Sequence, residues 1–180
     1  MDENEFERLV DGLYMPLYRF GFSLSGNESD AFDLTQQTFQ TWAAKGHQLR
    51  DRSKAKTWLF TALYRAFLAQ KRRSDRFVEL EENEQFAEPS YIVPSVVDTL
   101  DARTVQDALL ALDDRYRAPV TLFYMKQHTY REIADILEIP IGTVMSRISR
   151  GKAVLRERLT DAAHAEERKV VPLKEGTCDE

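Results

Sequence analysis

Thr129-Tyr130-Arg131-Glu132-Ile133-Ala134-Asp135-Ile136-Leu137-Glu138-Ile139-Pro140-Ile141-Gly142-Thr143-Val144-Met145-Ser146-Arg147 is the stretch that decides the fold. Thr129 with Glu132 three residues later is a capping box, which opens a helix over 130–137 with Ile133, Ala134, Ile136 and Leu137 turned inward. Pro140 cannot sit inside a helix but can open one, so a second helix starts near Ile141-Gly142-Thr143 and runs to about Leu159. On it Val144, Ile148, Leu155 and Leu159 form the inner face, and Gly151 lies on the same side, where helices pack closely. Thr143, Ser146, Arg147 and Arg150 recur outside at i, i+3, i+4 and i+7, a face of hydrogen-bond donors rather than Glu/Lys pairs. Two helices around a short turn with a cationic outer surface make a helix-turn-helix, whose second helix enters the major groove, where Arg reads guanine. Thr143, Ser146, Arg147, Arg150 and Lys152 are therefore the candidates for duplex DNA.

Outward from this stretch the chain reads as all-α. Glycine is scarce, and Trp58, Leu59, Ala62, Leu63, Ala66 and Phe67 recur at helical spacing. The strongest strand signal, Tyr91-Ile92-Val93 between Pro89 and Pro94, is too short to build a sheet. A turn at Ser25–Ser29 precedes a helix from near Asp30, Lys45-Gly46-His47 ends it, and a basic loop leads at about Lys54 into a long helix ending near Arg73. Residues 77–98, with Glu79, Glu81, Glu82, Glu84 and two prolines, form an acidic flexible linker. Two small helical domains are expected, at 1–76 and 99–160, followed by a tail at 161–180.

The net charge of −5 conceals strong patterning. Residues 45–76 carry ten Lys and Arg against two Asp, and residues 143–160 five against one Glu, while residues 1–44 and 77–108 are acidic. Two basic blocks in an acidic chain suit a protein that binds DNA at two places without sticking to it indiscriminately. The first block pairs cations with Trp58 and Tyr64, the composition of a single-strand track with flat surfaces for bases. Trp58 lies on the apolar stripe and is expected to be buried; Tyr64 and Arg65 lie off it. No carboxylate pair, Ser/His/Asp set or phosphate loop marks an enzyme, and His47, His128 and His164 stand far apart, so neither a metal nor a cofactor is expected. Cys178 alone excludes an intramolecular disulfide. No apolar run reaches membrane-spanning length and the first ten residues are acidic, so a cytoplasmic protein without membrane insertion is expected.

The helix-turn-helix segments Tyr130–Ala134 and Ile139–Arg147 resemble region 4, the promoter-binding domain of extracytoplasmic-function sigma factors of the sigma-70 family. Asp30-Ala31-Phe32-Asp33-Leu34-Thr35-Gln36-Gln37-Thr38-Phe39 is similar to the family's region 2 motif D-A-E-D-L-x-Q-E-x-F, and Trp58-Leu59-Phe60 through Lys71-Arg72-Arg73 resembles the helix that follows. The resemblance implies a transcription initiation factor that brings core RNA polymerase to minus-35 and minus-ten elements and aids promoter melting. It implies docking on the polymerase clamp through Asp33, Gln36, Gln37 and Gln40, with Ala31, Leu34, Thr38, Phe39 and Trp42 packed inward. It implies capture of the unpaired minus-ten strand by Arg50, Arg52, Lys54, Lys56, Tyr64, Arg65, Arg72 and Arg73, and reading of the minus-35 duplex by the outer face of the second helix. An anti-sigma factor is a further implied partner. Gln37, Met145, Gly151, Arg65 and Ala69 depart from the family's Glu, basic residue, Ala, Asn and Asp, which bears on the promoter sequence preferred.

A helix-turn-helix regulator acting without polymerase, and a sigma-like decoy that has lost promoter recognition, are the rival readings. The acidic tail, with Val170, Val171 and Leu173 too few for a core, is expected to be dispensable for promoter recognition. Removing residues 164–180 should leave start-site choice unchanged and raise DNA affinity slightly at low salt. Loss of transcription from a promoter used by the full chain would place the tail inside the functional domain.

Overall fold

The computed structural model describes residues 3–78, 100–125 and 128–167, in which every regular element is helical. Helices α1 (Glu3–Ser25), α2 (Glu28–Lys45) and α3 (Ala55–Val78) form the amino-terminal half, with one-turn 3-10 segments at Gly46–Gln48 and Arg52–Lys54 between α2 and α3. Helices α4 (Leu100–Leu110), α5 (Asp114–Tyr124), α6 (Tyr130–Leu137) and α7 (Ile141–Glu167) form the carboxy-terminal half. The expected linker lies outside the described residues except at 77–78, which continue α3. Of the expected tail, residues 161–167 extend α7 and the rest lies outside the described residues.

Local chemistry sets the boundaries. Gly26 takes a left-handed φ of 70°, open to glycine at no steric cost. Asn27 then caps α2 by accepting the Asp30 amide at 3.1 Å, which starts the helix two residues before the sequence-based expectation. Inside the first half α2 buries Ala31, Leu34, Thr35, Thr38, Phe39 and Trp42, with the two threonines returning their hydroxyls to the Ala31 and Leu34 carbonyls at 2.7 Å. Gly46 is required where it stands, because a Cβ there would lie 2.6 Å from the Trp42 ring. The sequence reading set no bounds for α1, although Phe6, Leu9, Val10, Leu13, Tyr14, Leu17, Phe20 and Leu24 carry a helical stripe onto the core.

The second half contains the expected helix-turn-helix. Both bonds of the Thr129/Glu132 capping box are present. Glu138 takes a left-handed φ of 56°, and the Ile139 amide closes on the Ala134 carbonyl at 3.2 Å, so the chain reverses before Pro140. Val144, Ile148, Gly151 and Leu155 are buried along α7 and Leu159 is half-buried, which is the expected inner face.

The two halves pack against each other. Leu17, Phe20, Leu59, Phe60 and Leu63 share one apolar core with Ala118, Leu122, Ile133, Ile136, Val144 and Ile148. Phe60, off the stripe read from the sequence, is completely buried. Its ring meets that of His128 edge-on, with centroids 4.5 Å apart. Burying such a side chain contributes about 1.5–3 kcal/mol. Arg117 pins the junction from the other side, donating to the Leu24 carbonyl at 3.0 Å and to the Leu110 and Leu112 carbonyls at 2.6 and 2.8 Å.

Gly151 marks the closest approach of α5 and α7: a Cβ there would fall 2.6 Å from Val120 Cγ2 and 3.1 Å from Tyr116 Cβ. Val120 is buried and stiff about χ1, so it cannot swing away. Gly151→Ala should lower the unfolding free energy by roughly 1–3 kcal/mol, with much of the loss recovered in Gly151→Ala/Val120→Ala. Additive losses in denaturant melts of the pair would refute this packing.

Candidate nucleic-acid interface

Three surfaces carry the candidate residues. On α2, Asp33, Gln36, Gln37 and Gln40 are all exposed while the residues between them pack inward, as expected. Phe32, not singled out in the sequence, joins this face at 44% exposure. Its signal was a large aromatic at i−4 from Gln36 where the motif has Glu.

The second surface is built by the loop before α3 and by α3 itself. Thr41, Lys45, Leu49, Lys54, Thr57, Trp58, Thr61, Ala62 and Arg65, with Asp135 from α6, line a shallow cavity of about 430 Å³. Lys54, Trp58 and Arg65 thus converge, and Lys45 joins them although the sequence reading did not single it out. Trp58 is half-buried rather than wholly core, set edge-on to Trp42 with centroids 5.1 Å apart. Arg50, Arg72 and Arg73 are exposed outside this lining, Arg72 donating to the Leu68 carbonyl at 3.1 Å. Lys56 is half-buried. Arg52 is engaged within the fold: its guanidinium lies 5.8 Å from the Trp42 ring centroid, donates to the Gly46 carbonyl at 3.2 Å and stands 3.6 Å from Glu5. Tyr64 is half-buried at the seam, where burial raises its hydroxyl pKa and nearby Arg147 opposes the rise.

The third surface is α7. Ser146 and Arg150 are exposed opposite the buried face, and Thr143 and Arg147 are half-buried on the flank toward α3. Lys152 lies on the other flank, its ammonium 5.1 Å and 5.9 Å from the Phe123 and Tyr124 ring centroids. Thr143, Ser146, Arg147 and Arg150 therefore form one surface from which Lys152 is set aside.

The seam sets cations of α3 against carboxylates of the carboxy-terminal half, with Arg147 of the third surface beside Tyr64. Arg65 pairs with Glu138 and Lys71 with Asp114. Tyr64, Phe67, Lys71, Asp114, Arg117 and Arg147 line a cavity of about 340 Å³ between the halves. The Arg65 hydrogen bond holds the Glu138 carboxyl below its ordinary pKa and Glu138 raises that of Arg65. Exposed pairs of this kind contribute about 0–1 kcal/mol each, so the apolar core holds the seam.

His128 is the buried titratable group there. Neither ring nitrogen has a hydrogen-bond partner among the described residues, and burial, then Lys56, push its pKa down to about 4 against an opposing pull from Glu132. Among the described residues no group of His, Cys, Asp and Glu could hold a metal ion, and no helix is long and apolar enough to cross a membrane.

Fold and site define a two-part all-helical protein that pairs a helix-turn-helix with a second cation-bearing helix. The family models for Sigma-70 region 2 and Sigma-70, region 4 match residues 9–77 and 102–155. The chain is 30% identical over 171 residues to the ECF RNA polymerase sigma factor SigW of Bacillus subtilis, covering 89% of this chain and 91% of the relative. It is 34% identical over 155 residues to the ECF RNA polymerase sigma factor SigE of Mycolicibacterium smegmatis, covering 84% and 59%. A solved structure of the sigma factor RpoE in complex with the anti-sigma factor NepR from Bartonella quintana superposes with a TM-score of 0.79 at 31% identity, over 87% of this chain and 97% of that one. The chain belongs to the extracytoplasmic-function RNA polymerase sigma factors. It is a promoter-directing initiation factor of RNA polymerase, and a regulator acting without polymerase is not favoured.

Because the folded-state pKa of His128 lies below its unfolded value of about 6.5, the closed fold loses stability as pH falls from about 6.5 toward 4. The full loss is on the order of 3 kcal/mol. Measured against pH, the unfolding free energy of wild type should fall relative to His128→Phe across this window. Parallel curves would show that His128 is not buried uncharged at the seam.

Proposed function

We propose that the three surfaces divide the work of promoter recognition. The exposed face of α2, Asp33, Gln36, Gln37 and Gln40 with Phe32 beside them, docks on the polymerase clamp. The cavity of Lys45, Lys54, Trp58 and Arg65, extended by Arg50, Lys56, Tyr64, Arg72 and Arg73, holds the unpaired minus-ten strand by charge and stacking. Thr143, Ser146, Arg147 and Arg150 read the minus-35 duplex, and Lys152, once lifted from its rings, serves a phosphate. Residues 1–76 and 99–160 act as the two functional units. The observation that carries this reading is the exposure of Ser146 and Arg150 opposite Val144, Ile148 and Leu155, on the second helix of a capped helix-turn-helix.

The closed arrangement is the resting form in this account. Its support is the pairing of Arg65 and Lys71 with Glu138 and Asp114 and the placing of Arg147 beside Tyr64, which withdraws cations of both DNA-reading surfaces. Binding to two separated promoter elements requires the halves to part. The similar structure is that of a sigma factor with its anti-sigma factor, which supports an anti-sigma factor as the partner that would hold this chain closed. The protein acts in the cytoplasm as a non-catalytic subunit, chemistry belonging to the polymerase.

Reconstituted transcription with core polymerase on a promoter library tests the assignment. Arg147→Ala and Arg150→Ala should each weaken upstream-element binding by about 1–3 kcal/mol, while Asp33→Arg/Gln37→Arg should abolish co-purification with core polymerase at unchanged helical content. Undiminished binding or retained co-purification would remove those residues from the interface, and polymerase binding without any promoter-specific transcript would establish the decoy reading.

A further inference from the structure

The surface of α7 carries two large apolar side chains that no packing explains. Ile141, the first residue of the helix, is 48% exposed and Met145, one turn on, is 53% exposed. The i, i+4 spacing puts them in one row, and Ser149, next in the row, is also exposed. Ser146 and Arg150 form the next row, about 100° round the helix, so the apolar pair borders one side of the donor face within the first turns. Those first turns are the part of a recognition helix that reaches base edges.

We propose that Met145, extended by Ile141, is a specificity-determining contact that reads thymine methyl groups in the upstream duplex. The thymine C5-methyl is the one apolar feature of the major groove, whose remaining readable groups are hydrogen-bond donors and acceptors. A thioether chain one row from Ser146 and Arg150 comes to the base edges with them and buries its apolar surface only where a methyl group meets it. At any other base pair it covers polar edge atoms without pairing them, which costs affinity. Neither side chain has a donor for phosphate, so the row discriminates among sequences rather than adding general affinity. The polar chemistry beside the row, Thr143, Ser146, Arg147 and Arg150, fits nucleic acid better than an apolar protein groove. The inference rests on the reading of α7 as the duplex-binding helix.

The test uses the holoenzyme, assembled from this chain and core polymerase, and the upstream-element duplex it selects from a randomised library. Each thymine is replaced in turn by uracil, which removes only the methyl group. Binding by the wild-type holoenzyme should weaken about fourfold at one or two positions, the value for one methylene-sized apolar group. Met145→Ala/Ile141→Ala should bind the thymine and uracil duplexes equally. Methyl-independent binding by wild type, or an unchanged thymine preference in the double variant, overturns the proposal, as does loss of polymerase affinity in place of the methyl effect. If Arg147→Ala and Arg150→Ala also leave binding unchanged, the duplex-binding role of α7 itself fails; if they weaken binding while uracil is silent, only the methyl contact fails.

Discussion

The apolar seam between α3 and α6 is the constraint on which the rest of the structure depends. Phe60 and Leu63 on one side, and Ile133 and Ile136 on the other, are buried completely. The His128 ring closes against Phe60. The two halves share one core, and this decides where every charged residue on α3 and α6 can go. Arg117 reinforces the junction: its guanidinium is half-buried, burial lowers its pKa, and it is kept in place by three backbone carbonyls and Asp114.

The same seam creates a conflict between stability and function. Arg65 and Lys71 belong to the most basic stretch of the chain, yet in the closed form each meets a carboxylate of the other half. Asp135 lines the cavity that holds Lys45, Lys54 and Trp58. Carboxylates of the second half therefore stand against cations of the first. These exposed pairs are individually weak and are screened within about 8–10 Å at physiological salt. They occupy these cations while adding little to the stability of the seam, which the apolar residues beneath supply. α2 is unaffected: Phe32, Asp33, Gln36, Gln37 and Gln40 remain exposed in the closed form.

Much of this was legible in the residues. The capping box, Pro140 and the alternation of Val144, Ile148 and Leu155 with Ser146 and Arg150 define the helix-turn-helix because each signal is local, set by a turn or two of backbone. The inward set on α2 came with the resemblance of 30–39 to the region 2 motif. Phe60 was not legible: periodicity assigns one stripe to α3, whereas Phe60 is closed in by Phe20 of α1 and by His128 of the other half. The partners of Arg65 and Lys71 were equally hidden, lying 73 and 43 residues away, since charge counts along a chain carry no information on distant neighbours. Arg52 stands among the minus-ten residues that the resemblance implies, and its contacts with the Trp42 ring, the Gly46 carbonyl and Glu5 were hidden for the same reason. The linker and tail, read from composition, lie almost wholly outside the described residues.

Opening of the seam is the central requirement, and a reversible cross-link tests it most directly. In a Cys178→Ser background, Arg65→Cys and Glu138→Cys place one thiol on each side of the seam, to be joined by a short reducible bis-thiol reagent. With core polymerase on a promoter used by the wild type, the joined protein should give no promoter-specific transcript and recover it on reduction, with the unjoined double variant setting the full level. Equal transcription before and after reduction would contradict the account, because both promoter elements would then be read by the closed chain.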